Sequence, residues 1–448
     1  MKLNLLPILI FCGLSAGGPA VPAHAEMSDR WTLDRCIAYA VAHSRDVRLQ
    51  EYNLRDSRSQ QQRAIGAFLP SVGASSGVQY NFGRAIDPKT NTYTDVGTFS
   101  NGYSLSASLS VFEGLRRYHA LRVAKASVLL GRQGIQAQKD AVAMEVLRAY
   151  LDVQYYFGAV RLAREKRRES RELLRQAEMM IEVGTKGETD RLQMQSALAA
   201  DEFEVERQEG LLEKASLALK RAMDYPVEDS LVLDTVVVFE EKLLMEAADV
   251  IYRQAETWNP SIQQAETSLR IARYQLKSAK ASLFPSLSFG AGVSTSFYKD
   301  LGSRSVRTFE EQMKNNLGQY LSFTLSIPIF GRLNTITNIR DRRNDLQQAR
   351  ENLDNQRQEL YRLIKEAVAD QNSSCREVDK MEKKVAADSA AATVLVRKWE
   401  EGLASPLDVQ TANVTLLQSR VQHLQCRLNW LFNVRILEYY QGKPLWTE

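Results

Sequence analysis

The chain has 448 residues, 44% of them hydrophobic, with 58 lysines and arginines against 54 aspartates and glutamates and a net charge of +4. So small and evenly spread a charge argues against a nucleic-acid partner, and four cysteines in such a length argue against a disulfide framework. Beyond the first residues no stretch approaches 18 consecutive apolar residues, which excludes a transmembrane helix.

Residues 1–25 read as a secretory signal. Lys2 gives the positive start, Leu5–Leu14 the apolar stretch, and Ala23-His24-Ala25 the small-x-small cleavage site. Cys12 lies inside the apolar stretch, after Phe11, so no lipid anchor is expected and the mature chain should begin at Glu26. Its remaining cysteines, Cys36, Cys375 and Cys426, are odd in number and are expected as free thiols.

Residues 26–240 carry a first structural unit. A helix is predicted over Trp31–Gly66, followed by strands over 71–83 and 103–112. In the first strand Val72, Ala74, Ser76, Val78, Tyr80 and Phe82 alternate with Ser, Gly, Gln and Asn. In the second Tyr103, Leu105, Ala107, Leu109 and Val111 alternate with serines only. A period of two gives each strand one apolar and one polar face. About 13 residues at roughly 3.3 Å each, tilted about 45°, cross roughly 30 Å of hydrocarbon. Arg84–Phe99 and Lys299–Asn316 are expected as the outward loops, and Asp87-Pro88 and Asn101-Gly102 read as turns. A proline-free run, Arg116–Glu182, is expected as one helix about 100 Å long. A hairpin tip over 183–190 and a helix over Glu188–Met223 follow, the latter with Leu198, Val205, Leu212 and Leu219 seven apart. Pro226 and the strand-like run Leu231–Phe239 then form a belt segment within Tyr225–Lys242.

Residues 241–448 repeat the order: a helix near Leu244–Leu283, strands over 286–298 and 320–329, a long helix over Leu333–Glu401, a tip over 401–408, a helix over Pro406–Leu437 and a belt tail. Phe68-Leu69-Pro70-Ser71 matches Leu283-Phe284-Pro285-Ser286 at an offset of 215, and Gly184 and Asp190 match Gly402 and Asp408 at 218. The duplication makes each half one structural unit. Short helices stacked beside a full-length one would form a rod with the strands at one end. Aromatic residues at the strand ends, including Phe68, Tyr80, Phe112, Phe284, Tyr298, Tyr320 and Phe330, fit girdles at two membrane interfaces. Four strands cannot close a barrel, because about eight is the practical minimum and lipid tolerates no open edge. Several copies must share one.

The duplicated strand openings, the strand exits Val111-Phe112-Glu113-Gly114 and Ile329-Phe330-Gly331, and the Gly-x5-Asp at each tip together resemble the TolC family of outer-membrane efflux channels. The stretch Phe82-Gly83-Arg84-Ala85-Ile86-Asp87 is similar to its Bacteroidetes branch. The resemblance spans the mature chain. It implies a mixed α and β fold in which a homotrimer shares a 12-stranded β-barrel in outer-membrane lipid and a long periplasmic α-helical barrel. It also implies a passive exit duct for a tripartite efflux or type I secretion system. Such a duct couples through a periplasmic adaptor (a membrane fusion protein) to an inner-membrane transporter of RND or ABC type.

In the family, aspartates of the second tip line the periplasmic entrance. Asp408 matches the first such position, while Thr411 stands where some members carry a second. Ala404 stands where a gating arginine can occur, and Lys186 occupies the equivalent place in the first tip. The gate candidates are therefore Asp408, Asp190 and Lys186, and the adaptor-contact candidates Gly184, Thr185, Gly402, Leu403 and Ser405. A local reading competes at Asp408: Ser405 as N-cap, Pro406 as first helical residue and Asp408 as an N3 carboxylate. Trp399 reads as a packing residue. His43, His119 and His423 are isolated, and neither a metal-spaced Cys/His cluster nor a phosphate loop is present, so no enzyme, metal or cofactor is expected. A periplasmic coiled-coil adaptor or a structural fibre is the alternative, but neither needs four membrane-length strands.

Overall fold

The computed structural model describes residues 30–86, 91–95, 97–234, 247–302 and 307–446. The expected signal, the turn at Asp87-Pro88 and most of the run Leu231–Phe239 lie outside the described residues. The elements are, in chain order, α1 (Leu33–His43), α2 (Arg45–Gly66), β1 (Ser71–Asn81), β2 (Ala85–Ile86), β3 (Tyr93–Thr94), β4 (Thr98–Glu113), α3 (Arg116–Glu182), α4 (Glu188–Ala222), α5 (Ala248–Trp258), α6 (Pro260–Ala281), β5 (Ser286–Asp300), α7 (Phe309–Asn315), β6 (Gly318–Ser326), α8 (Asn334–Glu400) and α9 (Pro406–Tyr440).

The four long strands form one antiparallel sheet in the order β1-β4-β5-β6, and the short β2 and β3 pair separately. Its register keeps the two faces separate. Val72 stands opposite Ala107, Ala107 opposite Ala291, and Ala291 opposite Leu321. One residue along, Ser71, Ser108, Gly290 and Ser322 make the polar row. A one-residue slip would mix the faces. Three details depart from the sequence reading. Asn101-Gly102 is not a turn but the middle of β4, opposite Val78-Gly77. The Asn101 amide nitrogen donates to the Tyr103 hydroxyl at 2.7 Å within the strand, while its Oδ1 is buried without a partner. A bulge between Ser110 and Phe112 switches the phase of β4, so that Phe112 joins Leu287 and Val111 is left over. Tyr320 and Tyr298 belong to the polar rows, and Tyr320 lies over Gly292, where a Cβ would come within 2.5 Å of its ring.

The expected helix Trp31–Gly66 is two helices. Ser44 leaves helical geometry and its hydroxyl accepts the Val47 N–H at 3.3 Å, starting α2 afresh. At the offset of 215 Asn259 does the same for α6, with Pro260 at the first helical position. These breaks set α1 and α2 end to end along α3, and α5 and α6 along α8. The lower halves of α3 and α8 are covered by α4 and α9.

The largest core is at mid-height. Cys36, Ile37, Val146, Leu147, Leu219 and Met223 are buried there, with Tyr439 from the end of α9 beside them. Trp31 bridges Leu233 in parallel, and Tyr150 and Gln154 both donate to the Asp234 carbonyl, at 2.9 and 2.6 Å. A second core joins α5, α6 and α8, and a small third one lies near the tips. Among the described residues Cys36, Cys375 and Cys426 are free thiols.

Candidate functional site

The two hairpin tips are built alike. After α3, Gly184 takes φ +78°, and after α8, Gly402 takes φ +79°, the left-handed conformation that ends a helix without a Cβ clash. Thr185 N–H then donates to the Met180 carbonyl at 2.9 Å, and Leu403 N–H to that of Lys398 at 2.7 Å. Each following helix opens with an aspartate folded back on the turn. Asp190 accepts the Gly187 N–H at 3.3 Å. Asp408 accepts both the N–H and the hydroxyl of Ser405, at 2.9 and 2.7 Å, while Ser405 Oγ accepts the Asp408 N–H at 3.2 Å. This is a capping box. The Ser405 hydroxyl first, and its backbone N–H second, hold the exposed Asp408 carboxyl below its ordinary pKa.

Lys186 does not reach Asp408 within one chain. Its ammonium donates at 2.8 Å to the carbonyl of Trp399, in the last turn of α8, and lies 5.1 Å from the centre of the indole ring. A cation at a helix C-terminus and over an aromatic face is doubly favoured. Trp399 is fully buried among Leu173, Ala177, Met194 and Val409. It packs, as its sequence context implies, but it is also the seat that ties the first tip to the second hairpin. Sequence reasoning missed that role. The available signal was asymmetry: Lys186 has Ala404 as its counterpart in an otherwise matched pair of tips. Gly184, Thr185, Gly402, Leu403 and Ser405 are all exposed, Leu403 by 73%. Just above the tips, a cavity of about 600 Å³ opens between α3, α8 and α9, lined by Arg168, Glu172, Arg397, Glu400 and Arg420 among others.

At the other end, the sheet is open. Outer strands β1 and β6 have no neighbour on one side, and their apolar residues face outward unprotected, Leu321 by 75% and Phe323 by 71%. Two membrane-length strand pairs set on a helical rod are an outer-membrane design. The family model described as outer membrane efflux protein matches residues 37–224 and again 251–442. The chain belongs to the outer membrane efflux protein family. This outer membrane efflux protein is 24% identical over 428 residues to the alkaline protease secretion protein AprF of Pseudomonas aeruginosa, covering 92% of this chain and 85% of AprF. It is 22% identical over 446 residues to the outer membrane protein TolC of Escherichia coli, covering 96% and 84% of the two chains. The solved structure of CusC shares its fold, with a TM-score of 0.79 at 18% identity over 92% of each chain. The duplicated TolC-like fold is thus the fold of this efflux protein. It is an outer-membrane channel protein with its helical part in the periplasm.

Proposed function

We propose that three copies of the chain close a single barrel of twelve strands and form a passive exit duct. The observation that carries this reading is the sheet itself: four strands, two unpaired edges and one continuous apolar face. Unpaired backbone groups in hydrocarbon cost several kcal/mol each, so the edges must be joined to further copies. The polar rows of Ser and Gly then line a wet lumen, and the helices continue the passage through the periplasm. The duct has no catalytic chemistry of its own. Energy comes from an inner-membrane transporter of RND or ABC type, through a periplasmic adaptor seated on the exposed tip residues Gly184, Thr185, Gly402, Leu403 and Ser405. Asp408 rings the entrance, with Asp190 beside it, and the Lys186 contact with Trp399 holds the hairpins of each copy together at rest.

Membrane fractionation tests the assembly. The protein should leave the outer-membrane fraction only with detergent and should run as a trimer. A monodisperse, detergent-free monomer would refute the duct, because so large an apolar face could not stay soluble.

A further inference from the structure

Lower down the rod many arginines have carboxylate partners, among them Arg164 with Glu209, Arg171 with Glu202, Arg175 with Glu172 and Arg207 with Glu204. Directly beneath the sheet the pattern changes. On α6, Arg270, Arg273, Lys277 and Lys280 are all exposed and step by three and four, which puts them on one face. On α3, Tyr118, Arg122, Lys125, Leu129 and Arg132 form a matching exposed stripe. Among the described residues none of Arg122, Lys125, Arg270, Arg273, Lys277 and Lys280 has a carboxylate in ion-pairing range. The two stripes lie on the same side of the wall, because the Arg122 guanidinium and the Lys277 ammonium both sit over the Tyr274 ring, at 5.4 and 5.8 Å from its centre. The positive field there is felt by His119: burial first, then Lys277 and Arg122, lower its pKa.

The exposure of these residues does not come from a missing neighbouring copy. Helices α3 and α6 are the inner pair of the wall, flanked by α2 and α8 of the same chain. The opposite faces carry mostly small, uncharged residues, Ala120, Ser127 and Gly134 on α3 and Ser268 with Gln275 on α6, and the one cation there, Arg116 at the start of α3, is paired with Glu113. In a curved wall, small residues crowd on the concave side and long ones splay on the convex side. The small faces therefore continue the Ser and Gly rows of the lumen, and the basic faces continue the lipid-facing side of the sheet. All six basic residues lie within about 16 Å of the helix ends at the sheet. Headgroups extend about 5–8 Å beyond the hydrocarbon, and screening leaves charges effective for roughly 8 Å more.

From this juxtaposition we infer that the α3–α6 basic face is a docking surface for anionic phospholipid headgroups of the periplasmic leaflet, with Tyr118 and Tyr274 as interfacial aromatics. Arginine and lysine donate to lipid phosphate there without first having to leave a protein carboxylate.

The assembled channel, reconstituted in nanodiscs of equimolar phosphatidylglycerol and phosphatidylcholine and then released for native mass spectrometry, tests this. The wild type should retain phosphatidylglycerol preferentially, and the preference should fall as salt is raised. The variant Arg273→Gln/Lys277→Gln/Lys280→Gln should lower the retained ratio about fivefold or more, given the contribution of each basic residue near an anionic surface. Equal retention of the two lipids by the wild type, or an unchanged ratio in the variant, overturns the inference. A variant that keeps its lipid ratio but changes ion selectivity in planar bilayers would put the basic face in the lumen and also overturn it. Should the triple variant fail to assemble, the salt dependence of the wild type and the pair Lys125→Gln/Arg270→Gln decide the matter.

Discussion

Asp408 can serve two ends with one carboxylate. Its oxygen Oδ2 faces back to Ser405 and caps α9, and a cap of this kind needs only a hydrogen-bond acceptor, whereas an ion-attracting ring needs the charge. Asp408→Asn separates the roles. Trimer formation should survive, while single-channel conductance and cation block in planar bilayers should change. Unaltered conductance and block would leave Asp408 a cap alone. Because its folded pKa is lowered, the capping contribution is complete above the ordinary aspartate range and is lost as pH falls through the lowered value. Lys186→Ala removes the bond to Trp399 and should make the resting channel leakier. The capping box was legible in the sequence, since Ser-Pro-x-Asp lies within one turn. Lys186 on Trp399 was not, because the partners are 213 residues apart and the acceptor is a backbone carbonyl that no side-chain pattern reports.

Between the long helices the duplication has left a second signature. In the first hairpin Lys166 is buried against Asp201, at 2.8 and 2.9 Å, and Ser170 donates to the same carboxylate at 2.5 Å. At the offset of 218 the second hairpin has Lys384, Asp388 and Ser419, with the acid and the hydroxyl exchanged across the helix pair. Lys384 donates to Asp388 at 2.6 Å, while the Ser419 hydroxyl donates to the Leu416 carbonyl at 3.0 Å. Asp201→Asn should destabilise the first hairpin by about 3–5 kcal/mol, the usual penalty for leaving a buried charge without its partner. Ser170→Asp combined with Asp201→Ser should recover most of it, read as the urea midpoint of helical circular dichroism. Equal loss in both variants would mean that only one arrangement fits this hairpin. The strands offer a sharper contrast. Leu109 and Leu325 stand in the apolar rows opposite Phe289 and Leu287, and Ser108 and Ser326 in the polar rows. Arginine at either leucine should impair insertion, by less than the roughly 2–4 kcal/mol of a midplane site because both leucines lie toward the periplasmic end of the sheet, while arginine at either serine should be tolerated. Equal tolerance at all four would contradict the lipid-facing assignment. The alternation made these faces readable from sequence. It could not reveal the bulge at Ser110–Phe112 or the passage of β4 through Asn101-Gly102, because both depend on what the neighbouring strands place opposite.

At the scale of the molecule, the open sheet and the paired rod make different demands. The rod satisfies itself: each long helix is covered over its upper half by two short helices and over its lower half by one, and the mid-height core locks them. The sheet does not, since β1 and β6 each keep an edge that only another copy can pair. Edge pairing in an antiparallel barrel is periodic, so it can be read by cross-linking. With Cys375 and Cys426 replaced by serine, Val78→Cys on β1 should form a disulfide with a cysteine placed on β6 of a neighbouring copy. The bond should form at same-face positions among Gln319, Leu321 and Phe323, and not at the intervening Tyr320 or Ser322. The products should be a covalent dimer and trimer and nothing larger, because a closed ring of three has no edge left to extend. A ladder continuing past three would mean an open, growing sheet. Cross-linking that ignores the face would mean that β1 and β6 meet by collision and not as neighbouring strands of one wall.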